Sequence, residues 1–99
     1  MPALRVRFRE CADMAALKVN INGEPWEVHL VPPSRIRGVA GLCVYRTNRI
    51  YISTAQSPPD RLKTLIHELL HARFPDLDES VADECEPVFA QAIDWILQE

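Results

Sequence analysis

The fold is decided by residues 57–75, which read SPPDRLKTLIHELLHARFP. Ser57 is a preferred N-cap residue, and the two prolines after it stand in the first helical turn, where no amide donor is needed. Asp60 completes a capping-box pattern with Ser57. Because Pro75 restricts the residue before it, the helix is expected to run to about Phe74. The segment therefore predicts one well-delimited helix.

This helix carries two histidines on the side opposite its apolar face. On a helical wheel of about 100° per residue, His67 and His71 lie roughly 40° apart. The apolar side chains lie together, roughly 160° to 300° from His67. They belong to Leu62, Leu65, Ile66, Leu69 and Leu70. The helix is therefore expected to bury its leucine-rich face in the core while both imidazoles project from the other face and can reach one metal ion.

Glu68 lies about 100° around the helix from His67, beside the expected metal rather than on it. The pattern HExxH places two zinc-binding histidines one turn apart and a general base directly after the first. Zinc lowers the pKa of its bound water toward about 7, and Glu68 can finish the deprotonation as the water attacks a carbonyl. The alternative interpretation is two exposed helical histidines beside a surface glutamate. We favour zinc ligands at His67 and His71.

Two histidines leave a zinc site incomplete, so a third protein ligand is expected after Pro75. The acidic candidates are Asp76, Asp78, Glu79, Asp83, Glu84 and Glu86. Because the chain turns at Pro75 and starts a second helix, a side chain in that helix's first turn can swing back to the metal, and we select Glu79. Asp78 and Asp83 remain alternatives. Alternatively, Asp76 or Asp78 caps the second helix, and Glu79 interacts only with the positive amino-terminal end of that helix.

The amino-terminal half alternates apolar and polar residues with period two, which is typical of strands. The alternating segments are residues 4–8, 19–21, 26–30, 42–44 and 50–52. Residues 22–25, NGEP, favour a hairpin turn, and residues 46–49, RTNR, favour a second one. We therefore expect an α+β fold in which a small antiparallel sheet packs on two carboxyl-terminal helices.

The second of these helices is expected from about Asp78 to the end of the chain. Its predicted apolar stripe consists of Val81, Cys85, Val88, Phe89, Ala92 and Ile96. Pro87 falls inside the helix and predicts a kink or a break there. No repeat, low-complexity tract or long linker divides the chain, so residues 1–99 are expected to form a single domain.

Composition and charge exclude several classes of protein. The opening residues, MPALRVRFRE, lack the apolar block of a signal peptide, and no run reaches membrane-spanning length, so a cytoplasmic location is expected. Cys11, Cys43 and Cys85 form no CxxC pair, which argues against a disulfide framework or a thiolate zinc site. Residues 1–50 carry a net charge of +4 (eight basic, four acidic) and residues 51–99 one of −7 (three basic, ten acidic). The basic half could contact nucleic acid, but its scattered arginines favour a solvated sheet face.

Residues 49–81, RIYISTAQSPPDRLKTLIHELLHARFPDLDESV, resemble the small zincin-like metallopeptidases of phages and bacteria, relatives of the SprT-like and ImmA/IrrE-type proteins. The shared pattern is a strand, a linker, the helix with HELLH, a proline turn and an acidic second helix. The resemblance implies that His67 and His71 bind Zn²⁺, that Glu68 is the catalytic base and that Glu79 completes a gluzincin-type site. It further implies that the strand at residues 49–53 lies along the cleft, where an extended peptide could add to its free edge.

The leading functional hypothesis is a zinc-dependent peptidase that hydrolyses peptide bonds with activated water, with Tyr45 or Tyr51 as an oxyanion donor. The second is a non-catalytic, zinc-stabilised binding or accessory module in a phage or stress-response setting, since so small a domain shows no obvious lid or specificity pocket. A third is a weak nucleic-acid binder that uses the basic sheet, which predicts strongly salt-dependent binding.

Overall fold

The computed structural model describes residues 16–98. The strands are β1 (Leu17–Ile21), β2 (Glu24–Val31), β3 (Gly41–Val44) and β4 (Arg49–Ser53), with a short 3-10 helix (Pro33–Ile36) between β2 and β3; the helices are α1 (Pro58–Arg73) and α2 (Glu79–Leu97). This order confirms the α+β prediction, with the sheet before the helices. The strand predicted at residues 4–8 lies outside the described residues, as does Cys11.

The sheet is mixed, so the prediction of an antiparallel sheet is wrong at its centre. The strand order is β1-β2-β4-β3, and β2 and β4 run parallel with Val28 opposite Ile50. Both predicted hairpins form: β1 pairs with β2, and β3 with β4. Turn residues specify which neighbours pair as hairpins, but alternation does not specify how one hairpin docks on the other. Here β4 is one of the two inner strands, and it carries the largest fully buried side chains, Ile50 and Ile52 (0% and 1% exposed).

This order also corrects the expected position of a bound peptide. Residues 49–53 form β4, which pairs with β2 on one side and β3 on the other, so this strand has no free edge. Among the described strands, the outer strand on the α1 side is β3, which contacts that helix. Any peptide that extends the sheet there would have to add to β3.

The two-residue loop of the first hairpin explains its register. Ile21 pairs with Glu24, which leaves Asn22 and Gly23 as the loop. Both have positive φ, 55° and 80°, which is the requirement of a type I′ turn and the reason why Asn-Gly is favoured there. The predicted turn over residues 22–25 is therefore confirmed, with its last two residues already in β2.

Helix α1 begins and ends close to its predicted limits. Ser57 is the N-cap residue, and its hydroxyl accepts a hydrogen bond from the backbone N–H of Asp60 at 3.4 Å. The helix ends at Arg73, immediately before Phe74 and Pro75. It packs on the sheet through the buried Ala72 and the partly buried Leu65 and Leu69. The sheet residues of this core are Ile21, Trp26, Val28, Ile50 and Ile52. Burying each large apolar side chain contributes about 1.5–3 kcal/mol, which fixes α1 on the sheet.

Helix α2 departs from prediction in the face that it buries. Its predicted apolar stripe is largely exposed: Val88 and Ile96 are 59% and 56% exposed. The buried residues of α2 are instead Ala82 and Ala90. These small side chains allow α2 to lie close to α1, and the same face presents acidic residues to the histidines.

Pro87 does not break the helix, which is continuous from Glu79 to Leu97. No helix within residues 16–98 combines the length and apolarity needed to cross a membrane.

Candidate metal and catalytic site

The two histidines of HELLH lie side by side on consecutive turns of α1. The ring centroids of His67 and His71 are 4.8 Å apart, and both side chains are largely shielded from solvent (14% and 16% exposed). Side chains from the two hairpin turns hold this end of α1: the Tyr45 hydroxyl donates to the His71 carbonyl oxygen at 2.9 Å, and Asn22 Nδ2 donates to the Arg73 carbonyl oxygen at 3.1 Å. These bonds satisfy carbonyls that have no partner within the helix.

Glu79, the first residue of α2, contacts both histidines. Its Oε2 lies 2.9 Å from His67 Nε2, and its Oε1 lies 2.9 Å from His71 Nε2. The structure thus brings together the three residues expected from sequence to bind the metal. Asp78, an alternative third ligand, instead accepts a hydrogen bond from the Ser80 hydroxyl at 2.9 Å.

Two further carboxylates approach the other nitrogen of His67. Glu86 Oε2 lies 2.8 Å from His67 Nδ1, and Asp83 Oδ1 lies 3.6 Å from the same atom. Sequence reasoning included Glu86 only among the acidic candidates and assigned it no role. The signal that could have identified it is spacing: Glu86 follows Glu79 by seven residues, or two helical turns, and so shares its face of α2.

The three residues fit a zinc ion. Their ligand atoms all lie within 4.8 Å of one another, in a group of two imidazoles and one carboxylate that could hold a metal. Zinc–ligand bonds of about 2.0–2.2 Å in a tetrahedron place ligand atoms about 3.3–3.6 Å apart, roughly half an ångström beyond the two 2.9 Å contacts. Three protein ligands with one open position are typical of catalytic zinc sites. The alternative group, His67 with Asp83 and Glu86, omits His71.

Comparison with known families agrees with this geometry. Residues 16–95 match the family model Peptidase_M78, described as the IrrE N-terminal-like domain. The chain belongs to this family. The match confirms the resemblance to ImmA/IrrE-type proteins and extends it from residue 49 back through the whole described sheet. No curated protein and no solved structure gives a significant match.

In this M78 chain, Glu68 lies in a cleft between α1, α2 and the start of β3. The cleft is lined by Ala40, Gly41, Thr64, His67, Glu68, Asp83 and Glu86. Glu68 packs so closely on the sheet that a Cβ added to Gly41 would lie 3.1 Å from Glu68 Oε2. The same Cβ would lie 2.5 Å from Thr64 Cγ2, so the glycine allows β3 to pass close to α1 at this point.

The surroundings of Glu68 and His67 raise the pKa of both groups. Burial raises the pKa of Glu68, the two neighbouring histidines oppose this, and the carboxylates of Glu79 and Glu86 add to it. For His67, burial acts to lower the pKa, but the hydrogen bond to Glu86 and the surrounding negative charge outweigh burial, so its pKa is raised. The negative charge around His67 therefore favours positive charge at this position, which a bound cation would also supply.

The two tyrosines considered as oxyanion donors are used elsewhere in the fold. The Tyr45 hydroxyl is committed to the His71 carbonyl oxygen, and its ring packs edge-on against Trp26. Tyr51 lies on the central strand β4, where its ring lies beside His29 at 5.6 Å between centroids. Neither residue lines the cleft that contains Glu68, so the geometry gives no support to either as an oxyanion donor.

Proposed function

We propose that this chain is a zinc-dependent metallopeptidase-like protein with a zincin-like site. In this proposal His67, His71 and Glu79 hold Zn²⁺, and Glu68 is the general base for hydrolysis of a peptide bond. The observation that carries it is the bridging position of Glu79, whose two oxygens each lie 2.9 Å from an Nε2 atom of the HELLH pair. Membership in the Peptidase_M78 family supports the same conclusion.

The chain's own residues are arranged for such a reaction. When bound, zinc supplies a Lewis acid that polarises the substrate carbonyl and acidifies a water molecule. Glu68 would receive the proton of that water, and burial raises its pKa toward the range in which a carboxylate both accepts and returns a proton. Because Glu68 directly follows His67 on a rigid helix, the base is held beside the metal ligands without needing a loop to close.

An extended peptide is the substrate class that suits the sheet. Strand β3 pairs with β4 on one side, and no described strand pairs with its other side. Gly41, at the start of β3, lies against Glu68. A peptide that adds to this outer edge by main-chain hydrogen bonds would therefore pass the catalytic base.

The test combines zinc content with cleavage of a peptide library. Wild-type protein loaded with zinc is expected to cleave library peptides, whereas Glu68→Gln keeps its zinc and its fold but loses cleavage by at least about a hundredfold, the range of general-base catalysis. His71→Ala is expected to lose both zinc and cleavage. Failure of wild type to bind zinc would overturn the proposal.

A non-catalytic zinc module is the second candidate function, and one observation favours it. Helix α2 exposes large apolar side chains near its end, including Trp95 (63% exposed) and Leu97 (75% exposed). Exposed apolar surface of this kind is typical of interaction sites. Wild-type protein that binds one zinc ion tightly but cleaves no peptide in the library would favour this function over the peptidase.

A further inference from the structure

His67 is held from both sides of its ring by carboxylates of α2. Nε2 faces Glu79, and Nδ1 faces Glu86 at 2.8 Å. A neutral imidazole has one N–H group and one lone pair, so a hydrogen bond at one nitrogen decides which nitrogen is free to bind a metal. If Nδ1–H donates to Glu86, the lone pair lies on Nε2, the atom that faces the proposed zinc position.

From this geometry we infer that Glu86 is the positioning residue of the metal site: its carboxylate accepts the Nδ1–H of His67 and fixes the ring so that Nε2 binds the metal. The inference rests on the proposed zinc site. A metal-binding histidine usually donates its second N–H to a carboxylate or a carbonyl, which orients the ring and strengthens it as a ligand. No such role follows from HELLH itself, because the supporting residue lies on the other helix.

Asp83 competes for the same nitrogen, but the structure favours Glu86. The Asp83 oxygen is 3.6 Å from Nδ1, too far for a hydrogen bond, whereas the Glu86 oxygen is at 2.8 Å. The Asp83 side chain is also 64% exposed, while that of Glu86 is 27% exposed. A partly buried, charge-assisted hydrogen bond orients a ring more firmly than a solvated carboxylate at a longer distance.

Helix α2 makes this arrangement possible because it supplies both carboxylates from one face. Glu79 and Glu86 are two turns apart, and the buried Ala82 and Ala90 keep this face close to α1. The apolar pattern did not predict that this face of α2 is buried. It is nevertheless the face that supports His67. In this respect α2 fixes one metal ligand and contributes another.

The experiment compares Glu86→Ala, Glu86→Gln and the matched control Asp83→Ala in the full chain. Zinc affinity is measured by competition with a chromogenic chelator. The His67 tautomer is read from the ¹⁵N shifts of its ring in the zinc-loaded protein, and in the metal-free protein at a pH above the titration of this ring, where the imidazole is neutral. Glu86→Ala is expected to weaken zinc binding about 10- to 100-fold. In the metal-free protein, the neutral ring of this variant should no longer keep its proton on Nδ1. Glu86→Gln keeps an oxygen acceptor and should lose less affinity, and Asp83→Ala should leave both readouts close to wild type.

The outcomes separate this inference from the proposed function. Zinc binding and tautomer that are unchanged in Glu86→Ala would overturn the role of Glu86 while leaving the zinc site intact, and a larger effect of Asp83→Ala would transfer the role to Asp83. Wild type that takes up no zinc would overturn the proposed function. In that case the tautomer in the metal-free protein still decides whether Glu86 fixes the ring, because the 2.8 Å contact does not depend on an ion.

Discussion

Glu79 Oε1 lies 2.9 Å from His71 Nε2, so the first residue of α2 meets the last histidine of α1. The same carboxylate also contacts His67. The proposed site therefore joins the two helices, and a metal bound there would tie them together. Because such a site exists only in the folded chain, metal binding should stabilise the fold.

Zinc is expected to raise the thermal unfolding temperature of wild type but not that of Glu79→Ala. At a free zinc concentration about 100 times the dissociation constant, the gain in unfolding free energy is about 2.7 kcal/mol. The measurement is thermal unfolding with zinc and with a chelator. Glu84→Ala is the matched control, because Glu84 is an exposed acid of the same helix outside the ligand group. An equal zinc-dependent shift in Glu79→Ala would contradict the assignment of the third ligand.

Gly41→Ala should destabilise the protein and impair the base without removing the zinc ligands. The added Cβ would meet Thr64 Cγ2 at 2.5 Å and Glu68 Oε2 at 3.1 Å, so these side chains or the backbones that carry them must shift. Overpacking of this kind costs about 1–3 kcal/mol, measurable by urea unfolding.

A second substitution tests this explanation directly. Thr64→Ser removes the clashing methyl group and keeps a hydroxyl that can donate to Gln56 Oε1, now 2.7 Å from Thr64 Oγ1. The double variant Gly41→Ala/Thr64→Ser should recover part of the lost stability. If the double variant is no more stable than Gly41→Ala alone, contact with Thr64 is not the cause.

The unfolding free energy of the metal-free protein should fall as pH rises above about 6.5. The pKa of folded His67 is raised above its ordinary 6.5, so the folded state holds this proton more tightly than the unfolded chain does. That stabilisation is complete below 6.5 and is lost as pH passes through the raised pKa. The pKa of Glu68 is also raised above its ordinary 4.5. Glu68 therefore also makes the unfolding free energy fall as pH rises, but at lower pH than His67 does. Urea unfolding in chelator at several pH values measures the slope.

His67→Asn serves as the reference for that slope, since asparagine does not titrate. The difference between wild type and His67→Asn should shrink as pH rises through the raised pKa of His67. A metal-free wild type that becomes steadily more stable than this variant over the same interval would contradict the predicted sign.

Tyr45→Phe should weaken the end of α1 on which His71 lies. The lost hydrogen bond to the His71 carbonyl oxygen contributes about 0.5–1.5 kcal/mol in general, and the low end applies because Tyr45 is 45% exposed. Urea unfolding measures the loss, and zinc affinity should fall slightly because His71 is less firmly held. Tyr51→Phe is the control for zinc affinity, because Tyr51 hydrogen-bonds to Arg49 and lies outside the cleft that contains Glu68. An equal loss of zinc affinity there would show that the hydroxyl of Tyr45 has no special role.

Local signals in the sequence predict much of this fold and site. Ser57 and Pro75 delimit α1, Asn22-Gly23 determines a two-residue turn, and the spacing of HELLH places two imidazoles together. Each of these depends on neighbours within a few residues. The choice of Glu79 also agrees with the geometry, because the short connection after α1 limits which residues can return to the histidines.

The features that sequence missed depend on packing between distant segments. Alternation could not show that β4 runs parallel to β2, because both orientations bury Ile50 and Ile52. The apolar stripe predicted the wrong buried face of α2. The face that packs closely on α1 carries Ala82 and Ala90, and Val88 of the predicted stripe is exposed. The contact of Glu86 with His67 follows from that unexpected face.

The most direct test of the central claim is a crystal structure of the protein grown with zinc, with anomalous diffraction measured on both sides of the zinc absorption edge. The account predicts one strong zinc peak per chain, within about 2.0–2.2 Å of Nε2 of His67, Nε2 of His71 and a carboxylate oxygen of Glu79. A difference map with no peak between these residues, or a zinc ion bound without the two histidines, would contradict it.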